Sequence, residues 1–196
     1  QGSDTNEENK KLIEDYYSYF KRNGAELSTE NKDKLKKIDE ELSLLSPKFS
    51  KNVLDAQNEF ELWISSSNDL DGLTENSINA AALAAKEKGR EGEWLFTLQI
   101  PSYLPFMTYS NKRHLRQVMA KAYGSICNGG KFDNTGYVKK IVKLKHDRAN
   151  LLGFKNHADF VLEKRMAERV ENVYDLLDNL YDYSLKAAKE EMDELK

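Results

Sequence analysis

The chain has 196 residues, of which 30 are basic and 33 acidic, for a formal net charge of −3. Nucleic-acid-binding domains usually carry a concentrated basic excess, so this balance argues against that class and predicts no nucleic-acid partner. Hydrophobic residues make up 39% and charged residues 32% of the sequence, a mixture typical of helices with a narrow buried stripe and a wide solvated face.

A single cysteine, Cys127, has no partner for an intrachain disulfide, so we expect packing alone to hold the fold. The cysteine count leaves the compartment open between cytoplasm and periplasm. No apolar run approaches the roughly 20 residues that a membrane-spanning helix needs, so we expect no membrane partner. The first ten residues are polar and do not resemble the apolar core of a signal peptide.

A long helical hairpin is predicted over 1–59. In its first helix, the sequence Asn23-Gly24 is a stop signal that follows a set of apolar side chains at helical spacing. These are Leu12, Ile13, Tyr16, Tyr17 and Phe20. Its second helix begins near Ser28 and carries an apolar seam at three- and four-residue steps. The seam consists of Leu35, Ile38, Leu42, Leu45, Phe49 and Val53. Pro47 lies inside this run and is expected to kink the helix, with a break as the alternative.

A small β-α-β element is predicted over 60–105. Two short runs rich in aromatic and branched side chains, 60–64 and 94–100, are typical of strands, and Pro101 is expected to end the second. An alanine-rich helix is predicted between them, over 74–88. The two strands are expected to pair as a small sheet on a helical body.

The remainder, 106–196, is predicted to be a helical bundle. Its four predicted helices cover 114–123, 135–152, 157–166 and 170–195. Gly153 directly follows the second of them and suits a left-handed helix cap. The predicted fold class is therefore mainly α, a long-helix bundle with a small two-stranded β element.

The motifs of a catalytic site are missing from this sequence. A zinc-peptidase signature needs two histidines four residues apart on one helix, with a glutamate after the first. The three histidines, His114, His146 and His157, have no such spacing, and no His-Glu pair occurs. Cys127 lies in a glycine-rich stretch without a nucleophile motif. We therefore predict no catalytic, cofactor-binding or metal-ligating residue in this chain.

Two basic clusters are the remaining candidates for binding. The denser one consists of Lys112, Arg113, His114 and Arg116, and it suits an anionic partner such as a nucleic acid or a peptide carboxylate. The other consists of Lys139, Lys140, Lys143 and Lys145, and the acidic C-terminal region balances it. Adjacent residues point around a helix axis, so a solvated helix surface is the simpler interpretation of both.

Three stretches in order carry a family resemblance. The first opens on Asp69-Leu70-Asp71-Gly72-Leu73, the second includes Asn111-Lys112-Arg113-His114-Leu115-Arg116, and the third includes Arg148-Ala149-Asn150-Leu151-Leu152-Gly153-Phe154 and Ala158-Asp159-Phe160. In this order and spacing they resemble the M3 family of zinc metallopeptidases, the relatives of thimet oligopeptidase. The resemblance is closest to the bacterial peptidyl-dipeptidase (dipeptidyl carboxypeptidase) branch, and it covers nearly the whole chain.

The resemblance implies two mostly helical halves around a deep channel that admits short unstructured peptides. It places a catalytic zinc, held by a His-Glu-x-x-His helix and a further glutamate, in a C-terminal half beyond the matching region. The chain 1–196 is then expected to be an internal fragment, a single helical lid or channel-wall segment that is itself inactive and binds no zinc. Its expected partners are the catalytic half of the same chain and short peptides, from which the parent enzyme releases C-terminal dipeptides.

Two other interpretations stay open. An independent helical interaction module would use the long seam of the second helix to bind a partner protein. A nucleic-acid binder would use the basic residues of 112–116, although the charge balance makes this the weakest of the three. A His-Glu-x-x-His motif downstream in the same reading frame would favour the peptidase over the interaction module.

Overall fold

The computed structural model describes residues 6–196 and is 72% helical with one two-stranded sheet among those residues, which confirms the predicted mainly α class. The helices, in chain order, are α1 (Glu7–Arg22), α2 (Thr29–Glu59), α3 (Glu75–Glu87), α4 (Ile100–Tyr109), α5 (Arg113–Gly124), α6 (Thr135–Leu151), α7 (His157–Leu162) and α8 (Val170–Glu194). The strands are β1 (Leu62–Ile64) and β2 (Trp94–Phe96), and short 3-10 turns cover Ser67–Leu70 and Gly130–Phe132. None of the helices between residues 6 and 196 has a stretch long and apolar enough to span a membrane.

The described chain divides into two compact units. The terminal unit combines the residues up to Leu42 with Ile141–Lys196, and the central unit is Ser43–Lys140. Helices α2 and α6 contribute residues to both units. An apolar core stabilises the central unit, and a cluster of charged side chains around one aromatic ring stabilises the terminal unit.

The central unit has an apolar core beneath its small sheet. β1 and β2 pair, as the sequence predicted, and the structure shows that they are antiparallel, with Trp63 opposite Leu95. The buried core contains Ile64, Leu70, Ala81, Phe96, Leu98, Phe106 and Met119. The rings of Phe96 and Phe106 meet edge to face with centroids 4.7 Å apart, the arrangement that aromatic quadrupoles favour. Through this contact the sheet fixes the position of α4.

The predicted end of the β-α-β element is wrong, because helix α4 begins there. The predicted strand over 94–100 ends at Phe96, and a helix begins at Ile100. Pro101 lies in the first turn of this helix, where its missing N–H has no intrahelical acceptor and its fixed φ already suits a helix. Pro101 therefore starts a helix instead of stopping a strand, and the helix buries Phe106 completely.

Helix α2 passes through Pro47 without interruption over 31 residues, so the alternative of a break at that proline is wrong. Every member of the predicted seam is buried or half-buried, with Leu35 and Leu45 the most enclosed. The boundaries of two other predicted elements also differ in the structure. The first strand begins at Leu62, and the helix predicted over 157–166 ends at Leu162.

The terminal unit is held by charged groups around one aromatic ring. The guanidinium carbons of Arg22 and Arg148 lie 4.3 Å and 5.2 Å from the centroid of the Phe160 ring. Arg22 also donates to the Phe160 carbonyl at 2.7 Å and pairs with Glu163, while Arg148 donates to Asp39 at 2.7 Å. Both arginine side chains are only 16% exposed, so these cation–π contacts and ion pairs are partly shielded from water. This Phe160 cluster joins α1, α2, α6 and α7.

We expect His157 to make the stability of the terminal unit depend on pH. Its ring stacks on Phe160, and burial, followed by the charges of Lys145 and Arg148, lowers the pKa of its imidazole. The unfolded chain takes up a proton near pH 6.5 that the folded chain binds less readily, so the stability of this unit is complete above that pH and falls as the solution becomes more acidic. We expect urea midpoints to drop between pH 8 and pH 5, and His157→Gln to make this drop smaller. An equal drop in both proteins would contradict this role of His157.

Candidate functional site

A groove lined by basic side chains lies where α4 meets α5 in the central unit. It has a volume of about 780 Å³ and no acidic side chain among its lining residues. These are Met107, Asn111, Lys112, Arg113, His114, Arg116, Gln117 and Ala120. The structure therefore brings the denser predicted basic cluster to one surface, which we call the basic groove.

Ser110 organises the turn between the two helices. It is only 3% exposed, and its N–H donates to the Phe106 carbonyl at 3.1 Å. Its hydroxyl accepts the N–H of Lys112 at 3.2 Å, and its carbonyl accepts a bond from the guanidinium of Arg116. Lys112 and Arg116 are half-buried, whereas Arg113 and His114 are exposed. Buried Ser110 thus fixes the backbone of Lys112 and the guanidinium of Arg116 beside the groove.

The Asp71-Gly72 turn packs against the segment that connects α4 and α5. The N–H of Asn111 donates to the Asp71 carbonyl at 2.9 Å, and its side-chain amide donates to the Asp71 carboxylate at 3.2 Å. Gly72 has φ +86°, and a Cβ atom at this position would lie 2.3 Å from the Tyr109 carbonyl oxygen. Only glycine permits so close an approach. The first of the three stretches that carry the family resemblance therefore contacts the second.

The electrostatics of the basic groove favour anions. Within residues 6–196, no carboxylate forms an ion pair with Lys112, Arg113 or Arg116. The first turn of α5 also lacks acidic residues, so the positive end of the helix dipole is not neutralised there. Unpaired ammonium and guanidinium groups bind carboxylates through charge-assisted hydrogen bonds. The groove is thus suited to hold an anionic group, and the chemistry that it offers is binding.

The second predicted basic cluster does not form a comparable surface. It lies on α6, where Lys143 pairs with Asp147 at 2.5 Å. This i,i+4 pair sits on a solvated helix face, with the lysine side chain 74% exposed.

The histidines lie on different helices, His114 on α5, His146 on α6 and His157 at the start of α7. Among residues 6–196, no group of three or more His, Cys, Asp or Glu side chains is arranged to hold a metal ion. The described part of the chain therefore offers no donor set for the zinc, which the family resemblance places beyond the matching region. That this chain itself has no catalytic, cofactor or metal residue stays a prediction.

The surroundings of Cys127 disfavour the thiolate form of its side chain. Burial, and to a lesser extent the negative charge of Asp133, raises the pKa of its thiol. A raised pKa leaves less thiolate at neutral pH, and the thiolate is the reactive form. The carbonyl of Cys127 accepts the N–H of Asn134 at 2.9 Å, which is a structural contact.

Comparison with known proteins finds this sequence similar to parts of peptidases. The model of the family described as "Peptidase family M3" matches residues 106–196. Organellar oligopeptidase A of Arabidopsis thaliana is 39% identical over 179 residues, which is 88% of this chain and 22% of the relative. Oligopeptidase A of Haemophilus influenzae is 39% identical over 95% of this chain and 28% of its own length. Dipeptidyl carboxypeptidase of Escherichia coli is 26% identical over 93% of this chain and 27% of its own length.

The chain spans about a quarter of the length of the curated relatives that it matches. The match to these relatives extends across both units, and it includes the Asp71-Gly72 turn, the basic groove and the α6–α7 part of the Phe160 cluster. Three findings point to the same family. They are the order of the three stretches, the helical fold with its small sheet, and the match to the family model. Residues 106–196 thus match peptidase family M3, and most of the chain is similar to a part of the proteins named oligopeptidase A.

Proposed function

We propose that this chain is the substrate-enclosing, non-catalytic segment of a zinc metallopeptidase that hydrolyses short peptides. The observation that carries the proposal is the similarity to proteins named oligopeptidase A, at 35–39% identity over most of the chain. The sequence contains no His-Glu-x-x-His motif, so in this proposal the catalytic zinc is held by residues elsewhere in the parent chain. The whole of 1–196 would then act as a single lid segment.

A helical lid performs this role without reactive groups. Packed helices narrow the entrance of a channel, so that an unstructured peptide enters while a folded protein does not. The lid also holds the peptide against the catalytic part of the parent chain, which lowers the entropic part of the barrier. The proposed partners are therefore the catalytic half of the parent enzyme and short unstructured peptides.

The basic groove is the proposed point of contact between this segment and acidic groups of the peptide. Its volume of about 780 Å³ lies within the range of small-ligand sites. Arg116 is half-buried and its guanidinium already bonds to the Ser110 carbonyl, so it loses less conformational freedom on binding than a free surface cation does. These features favour recognition of a peptide carboxylate over a purely solvated helix face.

Kinetics of the full-length gene product test this contact. We expect the double substitution Lys112→Gln and Arg113→Gln to raise KM at least about tenfold for a peptide with an acidic residue, since the loss of even one charge-assisted hydrogen bond costs about 1.5–3 kcal/mol. A peptide with glutamine at the acidic position should change little. Lys121→Gln is the matched control, because Lys121 lies on α5 outside the groove lining. An unchanged KM for the acidic peptide would show that the basic groove does not bind the substrate.

The position of cleavage separates two versions of the proposed activity. The predicted release of C-terminal dipeptides would shorten a peptide with a free C-terminus by two residues. The alternative is cleavage at internal bonds, and it stays open because the identity to proteins named oligopeptidase A is higher than the 26–28% to those named dipeptidyl carboxypeptidase. Mass spectrometry of the products from free and amidated peptides tests this. Products shorter by two residues, obtained from the free peptide alone, would establish dipeptide release, and cleavage of both peptides would establish internal cutting.

A further inference from the structure

Helix α8 carries a long apolar face without a covering partner among the described residues. None of its 25 residues is buried. Large apolar side chains recur along it at helical spacing, each between 53% and 61% exposed. They are Tyr174, Leu177, Leu180, Tyr181 and Met192. We call this set the α8 stripe.

Among residues 6–196, the hydrogen bonds that tie α8 to the rest of the terminal unit lie at its first turn. The side-chain amide of Asn172 donates to the Ala167 carbonyl at 2.7 Å, and Arg169 donates to the Asn172 side chain at 3.1 Å. Val170 and Val173 are half-buried there. From Tyr174 onward the stripe faces solvent. A helix in water draws most of its stability from covering an apolar face, and a large exposed apolar patch marks an interaction surface.

The lengths of the relatives show how much chain is available to cover the stripe. The matched region is 22–28% of each relative's length, so roughly three quarters of each relative lies outside it. We propose that the α8 stripe is the surface on which the catalytic remainder of the parent peptidase docks, an inference that rests on the proposed function. The occupant is then an apolar helix or sheet face belonging to the same parent chain.

Acidic side chains predominate on α8 outside the stripe. This negative charge argues against a second copy of the chain as the occupant of the docking face. Helix α8 contains eight acidic and two basic side chains. Two α8 helices packed along their stripes would bring these acidic rims together, and like charges at an interface oppose association. The occupant therefore has an apolar centre flanked by neutral or basic side chains.

Amide hydrogen exchange tests the proposal without requiring activity. In the 196-residue chain we expect the α8 amides from Tyr174 onward to exchange rapidly. In the full-length gene product we expect the same amides to exchange at least about a hundredfold more slowly, because docking suppresses local opening of the helix. Equal exchange of α8 in the two proteins would overturn the proposal, as would a reading frame that ends without a catalytic part.

Two variants of the full-length protein locate the contact. Leu177→Asp places a charge in the stripe and should speed exchange of α8 at least about tenfold, a typical loss for a buried apolar anchor. Asn179→Asp adds the same side chain on the opposite face and should leave exchange unchanged. An equal effect of both variants would overturn the assignment of the stripe.

Two further outcomes separate the proposals. Protection of α8 in the isolated chain that rises with protein concentration, together with a dimer in sedimentation, would identify a second copy as the occupant and overturn docking of the remainder. A full-length protein that protects α8 but cleaves no peptide would support docking and overturn the proposed function.

Discussion

Gly72→Ala is expected to lower the free energy of unfolding of the central unit by about 3 kcal/mol, because it adds both backbone strain and a steric clash. Gly72 has φ +86°, and the new Cβ would lie 2.3 Å from the Tyr109 carbonyl oxygen and 2.9 Å from the Asn111 nitrogen. Relief of the clash requires a backbone shift, which would break the 2.9 Å hydrogen bond from Asn111 to the Asp71 carbonyl. Urea unfolding followed by circular dichroism measures the loss.

Gly89→Ala is the matched control for this experiment. Gly89 also has a left-handed conformation, with φ +79°, but no atom lies within 4 Å of the position that its new methyl group would occupy. Its substitution should cost about 1 kcal/mol, the strain of the left-handed conformation alone. Equal losses for the two variants would show that the close approach to Tyr109 does not contribute.

Asn134→Leu is expected to cost about 3 kcal/mol, because it leaves two partly buried polar groups without partners. Asn134 is 3% exposed, and its amide donates to the Phe49 carbonyl at 3.1 Å. Its side-chain oxygen accepts a hydrogen bond from Asn52 at 2.9 Å. Leucine has a similar volume but can make neither bond. The change in urea midpoint measures the effect.

Asn128→Leu provides the comparison for Asn134→Leu. Asn128 lies in the same connecting segment and is exposed. The same substitution there should change the free energy of unfolding by less than about 0.5 kcal/mol, as surface substitutions usually do. Similar losses at both positions would mean that the amide of Asn134 does not hold α2 and the start of α6 together.

Helical periodicity predicts most of the elements because the apolar side chains of α2, α5 and α6 recur every three or four residues. It fails at α4, where the local sequence makes Pro101 look like the end of a strand. A proline in a first helical turn and a proline after a strand give the same local signal. The burial of Phe106 against Phe96 decides between them, and that contact joins segments ten residues apart in different elements.

The candidate site is only partly predictable for a related reason. The basic residues near Arg113 are visible in the sequence, but the groove depends on the buried Ser110 and on the close approach of Gly72 to Tyr109. Likewise, the Phe160 cluster brings Arg22 to Phe160 across 138 positions. Local patterns carry no information about such distant contacts. The stretches that carry the family resemblance include Gly72 and Phe160, and the structure shows the contacts that each of them makes.

The chemistry of the proposed zinc peptidase would lie outside residues 1–196, in the remainder of the parent chain. Hydrolysis of a short peptide by the 196-residue chain and by the full-length gene product, each with and without zinc, tests this most directly. We predict cleavage by the zinc-loaded full-length protein alone. Cleavage by the 196-residue chain would contradict the proposed division of roles, and no cleavage by either protein would favour an independent helical interaction module.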